Sequence, residues 1–260
     1  MKSNLFHAVL TRGHKVVYAY FAWMRKYAKH KKEVPIEIRY QKLHKLCTKI
    51  IPGLKVDITV KGLDNLPKEH GYYICNHLNE TDPLAILAVL DKPTAFVCKK
   101  EIETYPFVAK CVNSIDGVFI DKDDIKGTLK TMLNIEADLK KGTKNWLIFP
   151  EGMRNKDEKA HLIDFHHGTF RPAMKAGVPI VPIALYGTQR ILSKRFKFKR
   201  YPVYIEFGKP IYKEEYSGMT SQDMAKLMQQ RVQTMISYHA RQDDKKALVN
   251  ILGDKYKEIY

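Results

Sequence analysis

Seven short runs rich in β-branched and aromatic residues recur between positions 56 and 207, most of them separated by enough chain to form a helix. They occupy residues 56–60, 72–75, 95–98, 117–120, 145–149, 180–185 and 203–207. Apolar runs of this length, bounded by polar and glycine-containing turns, read as strands. Parallel neighbours need long crossovers, so strands alternating with helices favour an α/β domain with a largely parallel central sheet of about seven strands flanked by helices. The helix after the fourth strand is expected to carry Ile125, Leu129, Met132, Leu133 and Leu139 on one buried face. A C-terminal helix, capped near Thr220 or Ser221, should turn Met224, Leu227, Met228, Val232, Met235 and Ile236 inward as core packing. The last twenty residues are charged and expected to be partly frayed. Ligands of parallel sheets collect at the carboxyl ends of the strands.

The second strand ends in Asn76-His77-Leu78-Asn79-Glu80-Thr81-Asp82 and is followed by Pro83 and the apolar run Leu84-Ala85-Ile86-Leu87-Ala88-Val89-Leu90. Asp82 before Pro83 has the form of an N-cap followed by proline at the first helical position. If the loop curls back, the Asp82 carboxylate can accept the N–H of one ring nitrogen of His77, leaving the other free to take a proton from a hydroxyl. About one H-x-x-x-x-D is expected by chance in a chain like this. His239 and Asp244 repeat the spacing, but in a charged stretch with no preceding strand, which reads as solvated surface. Two other strand ends run into polar sequence, Asp121-Lys122 and Glu151-Gly152-Met153-Arg154-Asn155. Each places a cation where a phosphate could be held, and Gly152 permits close backbone approach.

The net charge is +17. A surface so basic calls for an anionic partner: phospholipid headgroups, nucleic acid or a phosphorylated metabolite. Much of the charge gathers in the first fifty residues, where Phe6, Leu10, Val17, Tyr20, Phe21, Met24 and Tyr27 recur at helical spacing among Arg12, Lys15, Arg25, Lys26, Lys29, Lys31 and Lys32. Such a helix either lies in a bilayer interface or packs its stripe on the domain. Pro35 ends it, and a second basic helix is expected from Ile36 to about Ile51. This divides the chain into a basic amphipathic helical segment at residues 1–52 and a larger domain at 53–260. No run approaches the 18 or so uncharged apolar residues of a spanning helix, and no secretory signal core is visible. Cys47, Cys75, Cys98 and Cys111 show no paired metal spacing and read as small buried residues of a reducing cytoplasm.

The ordered set of His77 to Asp82 after a strand, residues 117–122, Phe149-Pro150-Glu151-Gly152-Met153-Arg154, and residues 178–183 resembles the four blocks of the glycerolipid acyltransferases. It is most similar to the bacterial 1-acyl-glycerol-3-phosphate (lysophosphatidic acid) acyltransferases, over roughly residues 55–210. The resemblance implies the fold of glycerol-3-phosphate acyltransferases and makes the basic start a membrane-seating segment. It implies His77 as general base on the acceptor hydroxyl and Asp82 as the group that holds it. The oxygen would attack the thioester of an acyl-CoA or acyl-acyl carrier protein donor. Lysophosphatidic acid would be acylated at its sn-2 hydroxyl to phosphatidic acid, with no cofactor and no metal. Lys122, Glu151, Gly152 and Arg154 fall on the substrate-binding blocks, and residues 178–183 would shape the site. The implied location is peripheral, on the cytoplasmic face of the cell membrane, against an anionic surface.

Several positions depart from the family pattern. Lys122 stands where an arginine is usual, keeping charge but losing the planar fork. Met153 replaces a usual threonine and Asn79 a common serine, while His166 and His167 stand before Gly168 where a lysine is common. The two histidines lack a third ligand pattern and read as polar loop residues. Other acceptors, glycerol 3-phosphate or another lysophospholipid, would suit the same base. From a different class, the run Lys194-Arg195-Phe196-Lys197-Phe198-Lys199-Arg200 would suit a non-catalytic basic protein that binds membrane or nucleic acid.

Overall fold

The computed structural model describes residues 3–155, 157, 160–191 and 199–252. The seven strands are β1 (Val56–Lys61), β2 (Tyr72–Cys75), β3 (Thr94–Lys99), β4 (Val118–Ile120), β5 (Asn145–Ile148), β6 (Ile180–Tyr186) and β7 (Tyr201–Phe207). They form one sheet in the order β1-β7-β6-β2-β5-β3-β4. Every neighbouring pair is parallel except β6 and β7. β1 and β7 therefore run against the other five. The expected strands are all present, with ends shifted by one or two residues. Pro182 lacks an amide hydrogen, yet β6 tolerates it because the β6–β7 ladder begins one residue later, at Ile183 opposite Phe207.

Alternation along each strand feeds two cores. Tyr73, Cys75, Leu147, Val181, Ile183, Leu185, Val203 and Ile205 face one layer of helices, while Tyr72, Ile74, Trp146, Ile148, Ile180 and Ala184 face the other. The first layer contains α1 (Ser3–Ala19), α2 (Arg25–Lys29), α3 (Ile36–Ile50), α4 (Asp82–Val89) and α5 (Pro106–Ser114). The second contains α6 (Ile125–Lys141), α7 (Arg171–Ala176), the single turn α8 (Lys213–Tyr216) and α9 (Ser221–Leu252). Among the described residues no helix is long and apolar enough to cross a membrane. The four cysteines are free thiols, and burial pushes those of Cys98 and Cys111 up to about 12.

The N-terminal stripe divides. A π-helical turn at Tyr20–Met24 joins α1 to α2, and Ala19, Met24 and Tyr27 go into the core, whereas Leu10, Val17 and Phe21 remain exposed. α3 starts after Pro35 and buries Tyr40, Leu43, Leu46 and Cys47. Its Arg39 guanidinium is itself buried. Arg39 Nη1 and Nη2 donate to the two oxygens of Asp116, both at 2.9 Å, Nη1 also donates to the Ser114 carbonyl at 2.7 Å, and Nε donates to the Val34 carbonyl at 2.9 Å. This fork clamps the basic N-terminal helices onto the corner between α5 and β4.

Four expectations are corrected. Asp82 is the first helical residue of α4, and the capping position belongs to Thr81, whose side chain makes no capping bond; the Asp82 carboxylate is drawn back over the preceding loop instead. On α6, the side chains that enter the core are Ile135 and Leu139, while Ile125, Leu129 and Leu133 are 78%, 59% and 51% exposed. Ile135 and Leu139, four positions apart, turn inward, whereas Ile125, Leu129 and Leu133 lie on a neighbouring face of the helix that points outward. His239 is not solvated surface: α9 buries it against the ring of Tyr204 at 5.0 Å, with Glu206 Oε2 2.6 Å from its Nε2, and burial lowers its pKa. α9 also continues through much of the stretch expected to fray, to Leu252, with Met224, Met228, Val232 and Ile236 fully buried. The basic aromatic run at 194–200 lies outside the described residues except for Lys199 and Arg200.

Replacing Arg39 by Met should lower the unfolding free energy by about 3 kcal/mol, because the Asp116 carboxylate and the Ser114 carbonyl lose their donors inside the fold. Arg39→Lys should recover less than half, since an ammonium cannot serve both carboxylate oxygens in one plane. Urea titration checks both, through the transition midpoint at unchanged slope.

Candidate functional site

The site forms where β2, β4 and β5 end on the same edge of the sheet. β2 leaves through Asn76, which is fully buried and behaves as one more rung of the ladder. Its Nδ2 donates to the Leu185 carbonyl at 3.0 Å and its Oδ1 accepts the Leu185 N–H at 2.7 Å. The next residue, His77, is thereby delivered at a fixed height above the sheet. The loop then turns over Asn79, whose side-chain oxygen accepts from the N–H and hydroxyl of Thr81.

Asp82 closes this loop from the first turn of α4. Its Oδ2 accepts the N–H of Leu78 at 2.6 Å, the N–H of Asn79 at 2.8 Å and lies 2.8 Å from His77 Nδ1. An oxygen already accepting two amide hydrogens is an acceptor toward the ring as well, so the shared hydrogen sits on Nδ1. The proton-accepting lone pair is then on Nε2. The Asp82 side chain is fully buried, while that of His77 is 17% exposed. Among the described residues Nε2 has no hydrogen-bond partner, and Asp82 Oδ1 is likewise buried without one. The ring is gripped on its flat side by Phe149, stacked at 4.2 Å between centroids and 21° between planes.

β5 contributes the second half. Beyond Phe149 the chain makes a tight turn, with Gly152 N–H donating to the Phe149 carbonyl at 3.0 Å and Gly152 at φ +63°. Glu151 is buried under the turn. Its Oε1 accepts the His77 N–H at 2.8 Å and its Oε2 accepts the Ile163 N–H at 3.0 Å. Burial pushes its carboxyl above the ordinary range, and the two amide donors together with His77 pull in the opposite direction. The Asn155 N–H donates to the His77 carbonyl at 2.6 Å, so both backbone groups of His77 are tied to the β5 exit.

The cations lie around the rim. Lys122 is exposed in the loop after β4, with its Nζ 3.6 Å from where a Cβ on Gly152 would lie. Arg154 is also exposed and forms an ion pair with Glu80 of the His77 loop. The neighbouring Asp121 pairs with Lys100 at 3.3 Å. All six residues singled out from the sequence, His77, Asp82, Lys122, Glu151, Gly152 and Arg154, therefore converge on one edge. They fall into two sets: Asp82 and Glu151 are buried and bonded to backbone, whereas Lys122 and Arg154 face solvent. Asn76 and Phe149 were not singled out, although each is adjacent in sequence to a residue that was. A buried amide one residue before the histidine and an aromatic two before the glutamate were the available signals. Among the described residues no group of three or more His, Cys, Asp or Glu side chains could hold a metal ion.

This arrangement can hold an imidazole with its hydrogen on Nδ1 beside two exposed cations. Comparison with known proteins gives it a family. A model of the acyltransferase family matches residues 57–186, from the first strand through β6. A probable 1-acyl-sn-glycerol-3-phosphate acyltransferase of Mycoplasma pneumoniae is 25% identical over 204 residues, which is 74% of this chain and 75% of that protein. A 1-acyl-sn-glycerol-3-phosphate acyltransferase of Borreliella burgdorferi is 28% identical over 156 residues, 58% of this chain and 60% of that one. The match to the coconut enzyme of the same name covers 51% of its length, so several relatives are spanned only in part. The crystal structure of the 1-acyl-sn-glycerophosphate (LPA) acyltransferase PlsC from Thermotoga maritima shares the fold, with a TM-score of 0.70 at 20% identity over 90% of this chain and 96% of that one. Half of the chain, including His77, Asp82, Lys122 and Glu151, lies within the family model, and the chain belongs to the acyltransferase family.

Proposed function

We propose that this protein transfers an acyl chain from a thioester to the sn-2 hydroxyl of a lysophosphatidic acid, giving phosphatidic acid. The observation that carries the reading is the 2.8 Å contact from His77 Nδ1 to an Asp82 oxygen that two backbone N–H groups already hold in place. Nε2 takes the proton as the acceptor oxygen attacks the thioester carbonyl, and Asp82 stabilises the imidazolium that forms. The tetrahedral intermediate collapses by breaking its carbon–sulfur bond. The thiol of coenzyme A or acyl carrier protein leaves with the proton returned from Nε2, and the enzyme carries no acyl group at any stage.

The other residues divide the remaining work. Glu151 braces the His77 backbone, Gly152 lets the β5 turn pass close to the bound headgroup, and Lys122 and Arg154 supply positive charge to the acceptor phosphate. The names of the relatives from Mycoplasma pneumoniae and Borreliella burgdorferi support this acceptor. Residues 1–52 act as a membrane-seating segment and 53–260 as the acyltransferase domain. The exposed Leu10, Val17 and Phe21, with Arg25 5.8 Å above the Phe21 ring, suit an anionic leaflet at the cytoplasmic face of the membrane.

Thiol release from an acyl thioester in detergent micelles should require lysophosphatidic acid, and His77→Ala should reduce its kcat about a thousandfold with the fold intact by circular dichroism. Release without acceptor would instead identify a thioesterase. Glu151→Gln puts an amide NH₂ against one of two backbone N–H groups; it should cost about 2 kcal/mol of stability and lower kcat more than it raises KM. Changing Leu10, Val17 and Phe21 together to Ser should weaken flotation with anionic vesicles about a hundredfold while leaving the unfolding midpoint unchanged.

A further inference from the structure

The turn at Gly152 brings together two groups that come from different parts of the chain. A Cβ on Gly152 would lie 3.0 Å from His166 Cδ2 and 3.1 Å from His166 Nε2, with Lys122 Nζ at 3.6 Å. The exit of β4, the exit of β5 and the segment leading into α7 therefore meet over one bare backbone position. A side chain there would fill the space between the imidazole and the ammonium, and the φ of +63° further selects glycine.

His166 is held in place by its backbone. Its N–H donates to the Pro150 carbonyl at 2.9 Å, and its carbonyl accepts from the Thr169 N–H at 3.0 Å and the Thr169 hydroxyl at 2.7 Å. His167 is turned away, toward the Ser221 hydroxyl at 3.2 Å. Among the described residues neither the His166 ring nor Lys122 Nζ has a carboxylate in ion-pair range, whereas the nearby Arg154 and Lys100 are matched by Glu80 and Asp121. Among the described residues, the charged groups on the segments that meet here are Lys122 from the β4 loop, the buried Glu151 committed to two amide N–H groups, Arg154 paired with Glu80, and Asp164, which accepts from the Gln229 side chain at 3.2 Å.

Resting on the acyl-transfer reading above, we infer that His166 is a second, titratable arm of the acceptor's phosphate site, and that its protonation, together with Lys122, sets how tightly a phosphomonoester is held over Gly152. A bound phosphomonoester dianion favours a proton on the imidazole, because Nε2–H⁺ can donate to a phosphate oxygen in a charge-assisted bond. Binding and protonation are therefore linked: the bound complex holds the imidazole proton to a higher pH than the free protein does. The contribution is fully present at acidic pH and is lost as pH rises through the bound imidazole's midpoint. A lysine at this position would give the charge without the pH dependence.

The test compares native protein with His166→Lys and His166→Ala. Between about pH 6 and pH 8, KM for 1-acyl-glycerol 3-phosphate should rise about tenfold more in the native protein than in His166→Lys, with kcat following the same profile in both. The acceptor's own ionisation and that of His77 are common to the two proteins and cancel in the ratio. His166→Ala should show the high-pH KM throughout. A monoacylglycerol acceptor, which has no phosphate, should show no such difference. A flat KM ratio, or an equal effect on the neutral acceptor, overturns the inference. Independently of turnover, the His166 imidazole of the native protein should titrate at higher pH by NMR when glycerol 3-phosphate is added, and less so with inorganic phosphate if the glycerol is also recognised. An unmoved midpoint with both overturns the inference even if the variants fail to fold. If the midpoint moves but no acceptor supports thiol release, the phosphomonoester site stands and the acyl-transfer reading falls.

Discussion

One oxygen atom, Asp82 Oδ2, accepts three hydrogen bonds from residues within five positions of it: two from the loop backbone and one from the His77 ring. The backbone bonds define the loop and the ring bond defines the tautomer, so a single atom couples the shape of the segment to the chemistry of its base. Asp82 stands inside the first helical turn rather than at the cap, and from there its carboxylate reaches back over its own loop. Burial strengthens the arrangement. In a site closed to water a carboxylate keeps its partners or loses several kcal/mol, so alternatives in which His77 swings free are strongly disfavoured.

Strand order supplies the second constraint. β2 and β5 are parallel neighbours, with Ile74 opposite Ile148, so their exits lie side by side although 74 residues separate His77 from Glu151. Glu151 takes the His77 N–H and Asn155 gives its N–H to the His77 carbonyl, which continues the β2–β5 ladder past the last regular pair through one side chain and one backbone bond. On the other side Asn76 does the same toward β6. The histidine is thus the point at which three adjacent strands are sewn together beyond the end of the sheet. A buried glutamate at this junction is costly, and the raised carboxyl pKa is the sign of that cost. The offset comes from two amide donors that would otherwise be unpaired.

The parts of the structure legible in the sequence were those governed by local pattern. Short β-branched runs flanked by turn residues located every strand, and the spacing of Met224, Met228, Val232 and Ile236 located the buried face of α9. The order of the polar blocks at strand ends picked out residues that the fold brings to one edge of the sheet. What pattern could not convey is which apolar face finds a partner. Ile125, Leu129 and Leu133 have the periodicity of a core stripe, but the face of α6 that packs inward is the one carrying Ile135 and Leu139. His239 looked solvated because its neighbours in sequence are charged; its neighbours in space, Tyr204 and Glu206, come from β7 some thirty positions earlier. The N-cap reading of Asp82 failed for a related reason. Local preference places aspartate at the cap, and the tertiary demand for an anchor under His77 moved it one residue into the helix.

The contrast between the buried carboxylates and the exposed cations follows from how steeply each interaction depends on distance. Proton transfer to Nε2 needs heavy atoms within about 2.6–3.2 Å, so an error of an ångström in the position of His77 removes it. Attraction between a phosphate and an ammonium falls only as the inverse of distance, and widening a gap from about 4 to 5 Å loses about a fifth of it. On the proposed acyl-transfer reading, His77 needs the fully bonded cradle made by Asp82, Glu151, Asn76 and Phe149, while Lys122 and Arg154 would act from exposed positions at the rim. In the proposed reaction a point-charge lysine suffices at residue 122, because the acceptor would be oriented where its hydroxyl meets Nε2 and the rim would only have to supply positive potential. A net charge of +17 adds to that positive potential over the whole surface and favours anionic partners in general.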